Sequence, residues 1–383
     1  MIRKFSVSLR INELDAKKIK VALGIMTRKV LTGPVEVSVD LTRKCGLDCL
    51  MCWWWSPLLK EHPSREWANQ KIDFELFKEL IKDFKKLNVK RIVLGGQGDP
   101  LLYPEILEAI EITKKTGIGV SLITSGAYFG ENRIRKIFDL GVDNIDISLQ
   151  AATPSTYVKI HPGQNEGTFE RIKKELLLLR ELKEKYNRKI PRIQIIFVLC
   201  ALNYQEVASV VELAREVRAE SVGFKRIDVI PETKGLLLTS EQLKELKSLL
   251  KEAKEEATKS RIATSLDFYQ KFIEEGLTTG VYTSTYYTLI PCYVGWLSSR
   301  ILSDGNVIPC CGCYDVVFGN IRDTSFAAIW NSEQYQQFRK QSINIWKNPN
   351  LVQKCKCSSC IDFEFNLGIY RRLHPLKAER IQK

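Results

Sequence analysis

The chain predicts an α/β fold: a partial (β/α)6 TIM-like barrel followed by a small, cysteine-rich C-terminal domain. Three observations predict it. From residue 35, short β-branched apolar runs alternate with amphipathic helical stretches, the pattern of a buried parallel sheet with right-handed crossovers. The strand-like runs stop after Asp228, two units short of a closed eight-unit barrel. Seven of the eleven cysteines lie after Tyr287, where the composition changes.

Strands are expected at Val35–Thr42, Arg91–Gly96, Gly119–Thr124, Asn144–Gln150, Arg192–Leu199 and Ser221–Asp228. Their apolar runs are nearly continuous, as burial on both faces requires. Helices are expected between them at Asp73–Leu87, Pro104–Thr116, Glu131–Leu140, Thr168–Tyr186 and Tyr204–Ala219, and the charged run Ser240–Ser260 reads as the sixth. A polar Thr/Tyr-rich connection, Gly276–Tyr287, leads into the second part. Residues 1–34 are read as a basic N-terminal extension, 35–286 as the barrel, and 287–383 as the cysteine-rich domain and tail.

The 383 residues suffice for a full core. No run of 18 apolar residues occurs, and charges interrupt the N-terminal stretch MIRKFSVSLRINELDAKK. Neither a spanning helix nor a signal peptide is expected. Eleven cysteines without an export signal fit a reducing, cytoplasmic setting and metal ligation rather than disulfides. Net charge is +13, carried by the ends: residues 1–44 hold ten basic and four acidic side chains (+6), and residues 339–383 hold ten and three (+7). Basic ends on a neutral body suit an anionic substrate, an acidic partner or peripheral contact with an anionic membrane surface, or serve as a solvated surface. Nucleic acid is disfavoured, because no nucleic-acid module and no basic stripe interleaved with aromatics appears.

Directly after the first strand stand Cys45, Cys49 and Cys52, spaced C-x3-C-x2-C. Three cysteines cannot pair among themselves. As soft thiolates they suit a cubane cluster with one iron left open, or a zinc knuckle. The second strand ends in Gly95-Gly96-Gln97-Gly98-Asp99-Pro100, where glycines allow close backbone approach and proline fixes the turn. Polar groups also follow the third, fourth and fifth strands: Thr124-Ser125-Gly126, Ser148-Leu149-Gln150 and Leu202-Asn203. Ligands in such folds sit at the C-terminal ends of strands.

Together these motifs, over roughly residues 35–230, resemble the radical S-adenosylmethionine (radical SAM) superfamily. The resemblance implies that Cys45, Cys49 and Cys52 hold a [4Fe–4S] cluster whose fourth iron chelates S-adenosylmethionine. An electron from the cluster then cleaves the sulfonium to a 5′-deoxyadenosyl radical. Where the family usually has an aromatic residue before the third cysteine, this chain has Met51, which can pack on the adenine. Gly96, Gly98, Asp99 and Pro100 stand where the family holds the amino group, with Asp replacing Glu. Ser125 matches a Thr-Asn-Gly position, Ser148 and Gln150 the ribose or carboxylate contacts, and Asn203 the adenine flank.

The C-terminal frame also carries a resemblance. Cys292, Gly305 and Cys310 run C-x12-G-x4-C, and Cys357 and Cys360 close it as C-x2-C; Gly319-Asn320-Ile321 and Ile329-Trp330-Asn331-Ser332 lie between. This resembles the extension called SPASM or, in its one-cluster form, Twitch. It implies that Cys292, Cys310, Cys357 and Cys360 hold one auxiliary [4Fe–4S] cluster. A four-thiolate zinc site has the same donors. Cys311, Cys313 and Cys355 remain unassigned and could substitute. Gly305 suits a hairpin turn, and Cys200 reads as a buried small hydrophobe.

Trp53-Trp54-Trp55 form either a shield or platform beside the cluster or packing for the cysteine loop. His161 is read as a capped loop residue without a catalytic role. The implied activity is hydrogen-atom abstraction from an unactivated carbon, with a reductant such as ferredoxin or flavodoxin. The expected substrate is small or anionic: a polyol, sugar, sugar nucleotide or phosphorylated lipid head group. The peptide-modifying alternative is placed second, because relatives of that kind often carry a fused peptide-binding domain and the region before Val35 is short. An iron–sulfur electron carrier is the third reading.

Overall fold

The computed structural model describes residues 16–227, 229–266, 290–352, 355, 360 and 363–375. Its centre is a sheet of parallel strands in sequence order: β1 (Glu36–Val39), β2 (Arg91–Leu94), β3 (Gly119–Thr124), β4 (Asn144–Ser148), β5 (Arg192–Leu199) and β6 (Ser221–Arg226). All six coincide with expected runs. Their residues Val37, Val39, Ile92, Leu94, Val120, Leu122, Ile145, Ile147, Ile195 and Phe197 are fully buried.

The crossover helices pack on the sheet through apolar stripes. In α3 (Phe74–Lys86), which follows α1 (Ala16–Thr27) and α2 (Arg65–Ala68), Phe77, Leu80, Ile81 and Phe84 make one buried face. Asp73 starts this helix by accepting the Glu75 and Leu76 N–H groups at 2.9 and 3.2 Å. Next come α4 (Ile106–Lys115), α5 (Glu131–Asp139), α6 (Pro154–Ile160), α7 (Glu166–Lys185), α8 (Ser209–Glu216) and α9 (Ser240–Ser260). A capping box between Thr239 and Gln242 opens α9.

Among the described residues four strands lie beyond the six that sequence periodicity reveals, two of them parallel. A two-residue strand, β7 (Ala263–Thr264), pairs parallel with β6. On the other edge β8 (Ser298–Ile301), reached through α10 (Val294–Leu297), pairs parallel with β1, register Glu36 to Ser298 and Val39 to Ile301. The expected end of the sheet after Asp228 is therefore corrected: the C-terminal part extends the barrel sheet. The β8 run Ser298-Ser299-Arg300-Ile301 lacks a strand-like apolar pattern, so tertiary pairing decides it.

From β8 the chain turns at Asp304-Gly305, with Gly305 at φ +89°, into β9 (Asn306–Ile308) and then β10 (Gly319–Asn320), both antiparallel. This is the hairpin expected at Gly305. Among the described residues the α-helices α11 (Phe326–Asn331), α12 (Glu333–Ser342) and α13 (Phe363–Leu373) follow. The expected boundary at 286/287 lies outside the described residues. The segment read as a basic extension contains α1, whose Val21 and Ile25 pack on Tyr293, Trp296 and Leu297. Among the described residues no helix is long and apolar enough to cross a membrane.

Candidate active site

The cysteine loop leaves β1 and is tied down by backbone on both sides. Lys44 O accepts the Asp99 N–H at 2.9 Å, and Leu50 N–H donates to Ile160 O at 3.0 Å. Gly163 N–H donates to Asp48 Oδ2 at 2.6 Å, and Gln164 Nε2 to Gly46 O at 3.3 Å. A Cβ on Gly46 would lie 1.9 Å from the Tyr128 hydroxyl, so a side chain there would displace that ring. The loop folds because its own short spacing and the segment after α6 fix it together.

Within it, sulfur is the acceptor. Cys52 Sγ accepts N–H groups from Trp54 at 3.4 Å and Trp55 at 3.3 Å, and Cys45 accepts from Leu47. Burial pushes the Cys45 thiol up to about 12; Asp99, Cys52 and Asp48 add to the rise. Burial raises Cys49 well above its ordinary value, and the neighbouring Cys52 and Cys45 thiols reinforce it. Uncomplexed, these thiols hold their protons; a bound cation must displace them. Amide N–H groups aimed at thiolate sulfur are what iron–sulfur ligation uses, so the donor set fits a cluster. Among the described residues no three His, Cys, Asp or Glu side chains already form a metal-holding group.

The structure brings the other expected residues to the same end of the sheet, with tasks of their own. Met51 packs with Cys200, Ile227 and Leu236 beside the end of β5. Gly96 and Gly98 are demanded by packing: a Cβ on Gly96 would sit 2.1 Å from Asp40 Oδ1, and one on Gly98 2.4 Å from Lys44 O. Asp99, implied to hold the amino group, is bound here by its protein neighbours. Its carboxylate accepts from the Thr124 hydroxyl at 2.9 Å, the Ser125 N–H and hydroxyl at 2.9 and 2.6 Å, and Leu101 N–H at 3.0 Å. Asp99, Pro100 and Ser125 thus lock the β2 turn to the end of β3.

Gln150 adopts a left-handed φ of +54° and donates to the Ser148 hydroxyl at 2.5 Å, while its Oε1 is buried without a partner. Asn203 is a brace rather than an open contact. It accepts the Cys200 N–H at 2.8 Å and donates to the Gln150 and Val198 carbonyls, each at 2.9 Å. His161 ends α6 buried, stacked on Tyr157 with ring centroids 4.3 Å apart; burial lowers its pKa and keeps it neutral.

Sequence reasoning missed the polar and aromatic roof over this end. The buried Asp40 accepts from Arg300 Nε at 3.1 Å and its terminal nitrogen at 2.9 Å. Burial works against charge on Arg300, but Asp40, Tyr314 and Cys311 together outweigh it and lift the guanidinium pKa above its ordinary value. Arg43 donates to Gln97 Oε1 at 3.0 Å and to Asp304 at 2.8 Å, and lies 4.3 Å over the Trp67 ring. Trp54 packs on Trp67 (4.9 Å), and Trp53 and Trp54 meet Tyr314 edge-on at 6.1 and 5.7 Å. The tryptophan run therefore joins the first cysteine loop to the C-terminal one. Only the run itself was visible beforehand; Tyr314, Arg300 and Asp304 come from the far end of the chain.

The C-terminal cysteines lie on separate segments. Cys292 N–H donates to Ser342 O at 3.0 Å, and its sulfur accepts from Asn366 Nδ2 at 3.8 Å. Cys292 and Cys310 both bear electrostatically on the buried Tyr335. Cys313 is buried, and Cys311 and Cys310 bear on Tyr314. Cys355 packs against the main core. Cys357 lies outside the described residues, and Cys360 is half-buried.

Comparison with known proteins gives two family matches. Residues 39–214 match the radical SAM superfamily, and residues 292–361 match the SPASM iron–sulfur cluster-binding domain. The chain is 26% identical over 321 residues (79% of it, 82% of the relative) to the tungsten-containing aldehyde ferredoxin oxidoreductase cofactor-modifying protein of Pyrococcus furiosus. It is 24% identical to the PqqA peptide cyclase of Gluconobacter oxydans, over 80% of this chain and 79% of that one. Streptococcus suis SuiB bound to S-adenosylmethionine shares the fold, with TM-score 0.61 and 15% identity over 85% of this chain and 72% of that one. The cofactors follow: S-adenosylmethionine, its [4Fe–4S] cluster and auxiliary iron–sulfur chemistry at the C-terminal cysteines. A thiol loop at the end of the first barrel strand, roofed by a second cysteine-rich segment, thus places the chain in the radical SAM superfamily, as an enzyme with a C-terminal SPASM domain.

Proposed function

We propose that this enzyme modifies a peptide by radical hydrogen abstraction, and that the small or anionic substrate suggested by the basic ends is the lesser reading. The observation that carries this is the state of the charges at the site. Two of the cations near the strand ends, Arg43 and Arg300, are already bound by Asp304 and Asp40, so neither is free for an anion; a third, Arg226 at the end of β6, is buried and donates to the Ile227 carbonyl. What the roof offers instead is half-buried aromatic surface, Trp53, Trp54, Trp55, Trp67 and Tyr314, suited to apolar side chains of a polypeptide. The PqqA peptide cyclase, related over most of both chains, supports the same substrate class.

Cys45, Cys49 and Cys52 are the proposed ligands of the cluster that binds S-adenosylmethionine; the bound cofactor supplies the 5′-deoxyadenosyl radical. Cys292, Cys310, Cys357 and Cys360 are the proposed auxiliary ligands. Met51, Ser148 and Gln150 are the proposed cofactor contacts, and Gly96, Gly98, Asp99, Pro100, Ser125 and Asn203 are proposed to shape the strand ends that receive it. The protein's part is to hold one substrate C–H against the radical and exclude water. An external donor such as ferredoxin or flavodoxin would supply the electron.

The test uses reconstituted protein, S-adenosylmethionine, dithionite and a deuterated peptide encoded beside the gene. Deuterium should appear in 5′-deoxyadenosine and the peptide should lose hydrogen by mass. Deuterium transfer from a polyol or sugar nucleotide, with none from peptides, would overturn the reading. The anionic reading draws on the +13 charge, although Lys17, Arg43 and Arg339 are buried. It predicts a Michaelis constant rising steeply with salt as exposed charges are screened beyond ~8 Å.

A further inference from the structure

The two basic ends of the chain, which peptide chemistry at the strand ends does not use, meet in the structure. Helices α1, α10 and α13 share one apolar cluster, in which Val21 and Ile25 of α1 join Trp296 and Leu297 of α10 and Ile369 of α13. The charges around it have one sign. From Ala16 to Val35 the chain holds five basic and no acidic side chains, and the last turn of α13 carries Arg371 and Arg372. Lys20, Arg28, Lys29 and Arg371 are exposed.

Helix α1 is fixed with one face outward. The buried Lys17 donates to Leu87 O at 3.1 Å and to Asn88 O at 2.6 Å, and Trp296 Nε1 donates to Lys29 O at 3.1 Å. The face away from Val21 and Ile25 carries Ile19, Leu23 and Met26, spaced i, i+4, i+7 along one side. They are 41, 45 and 74% exposed. A surface helix ordinarily turns polar side chains to water; this one shows three large apolar ones, with Lys18 and Lys20 on the two flanks of the stripe.

We propose that α1, with the basic end of α13 beside it, is a membrane-docking face that lays its apolar stripe into the surface of an anionic lipid bilayer. Side chains that stand out as a ridge enter a fluid surface without needing a matching groove, and apolar area plus basic flanks is what holds an interfacial helix. The single sign of the charges selects anionic lipid. Long Lys and Arg stems let the cations stay among the head groups while Leu and Met reach the acyl boundary. The helix lies on the membrane; it is too short to span one.

The test mixes the full chain with sedimenting vesicles of phosphatidylcholine and phosphatidylglycerol in equal parts, and separately with phosphatidylcholine alone. The protein should sediment with the mixed vesicles and stay in solution with the neutral ones. Lys20→Gln, Arg28→Gln and Lys29→Gln together should weaken binding on the order of 100-fold, and Leu23→Glu with Met26→Glu should abolish it. Both variants should cleave S-adenosylmethionine in solution like the parent. Equal sedimentation with both vesicle types, none with either, or parental binding by either variant would overturn the proposal. Capture of polyglutamate in preference to the mixed vesicles would overturn it in favour of an acidic polypeptide partner. A dimer that Leu23→Glu dissociates would overturn it in favour of a second copy covering the stripe. Should the double Glu variant fail to fold, Met26→Glu, at the most exposed of the three positions, carries the test: weakened binding supports the proposal and parental binding overturns it.

Discussion

The two cysteine regions are built in opposite ways. The first packs its three thiols into eight residues, 45–52, and anchors them with backbone hydrogen bonds from the neighbouring strand ends. The second draws cysteines from 292 to 360 and depends on helices α12 and α13 to bring Cys292 to Ser342 and Asn366. Their charge environments differ too. After burial itself, the groups acting on Cys45 and Cys49 include the acids Asp99 and Asp48. At the second, the buried cation Arg300 feels Cys311, and both bear on Tyr314. Negative neighbours disfavour reduction and positive ones favour it. One region is thus a local motif in an acidic setting, and the other draws on distant segments with a cation, Arg300, bearing on one of its cysteines.

The most severe test of this contrast removes one region at a time. Changing Cys45, Cys49 and Cys52 to Ala should lower reconstituted iron from about eight to about four per chain and abolish cleavage of S-adenosylmethionine; iron assay and chromatography of 5′-deoxyadenosine would show it. Changing Cys292 and Cys310 to Ala should also halve the iron. Uncoupled 5′-deoxyadenosine formation should then survive while substrate turnover is lost, and zinc rather than iron at this site would refute the cluster assignment.

A smaller effect probes the joint between the regions. Asp40→Ala strands the buried Arg300 and should cost about 3–5 kcal/mol in urea unfolding. If the halves are independent, stability should hardly change; a double variant with Arg300→Met should recover part of the loss. The smallest expected effect is at Tyr157, whose buried hydroxyl has no partner and whose pKa is raised by burial and then by Cys49. In metal-free protein Tyr157→Phe should gain about 1 kcal/mol, because it removes an unsatisfied polar group. A loss of stability would show that the hydroxyl is bonded to the loop.

Legibility follows the same contrast. The six barrel strands and the long helix Ser240–Ser260 were readable because apolar periodicity repeats within short windows. The first cysteine loop was readable because its spacing is local. The helix Pro154–Ile160 was missed within a turn-like stretch, although Thr153 caps the Thr156 N–H at 3.3 Å and proline begins it. Strand β8 and the partners Arg300, Asp304 and Tyr314 were invisible because their meaning lies in residues about 260 positions away. Asp99 was placed correctly at the strand end, but its hydrogen bonds to Thr124 and Ser125 could not be foreseen from order alone.

The pairing of β8 with β1 also bears on how the chain is made. The first barrel strand to leave the ribosome gains its second neighbour only when residues 298–301 follow. Until then its amide groups form an open edge, the kind of surface that recruits strands from other molecules. A contact across such a sequence separation also slows folding, since the intervening loop must close first. Expression truncated before residue 298 should therefore yield aggregate rather than a free-standing barrel, and the cell must protect the nascent edge until the C-terminal part covers it.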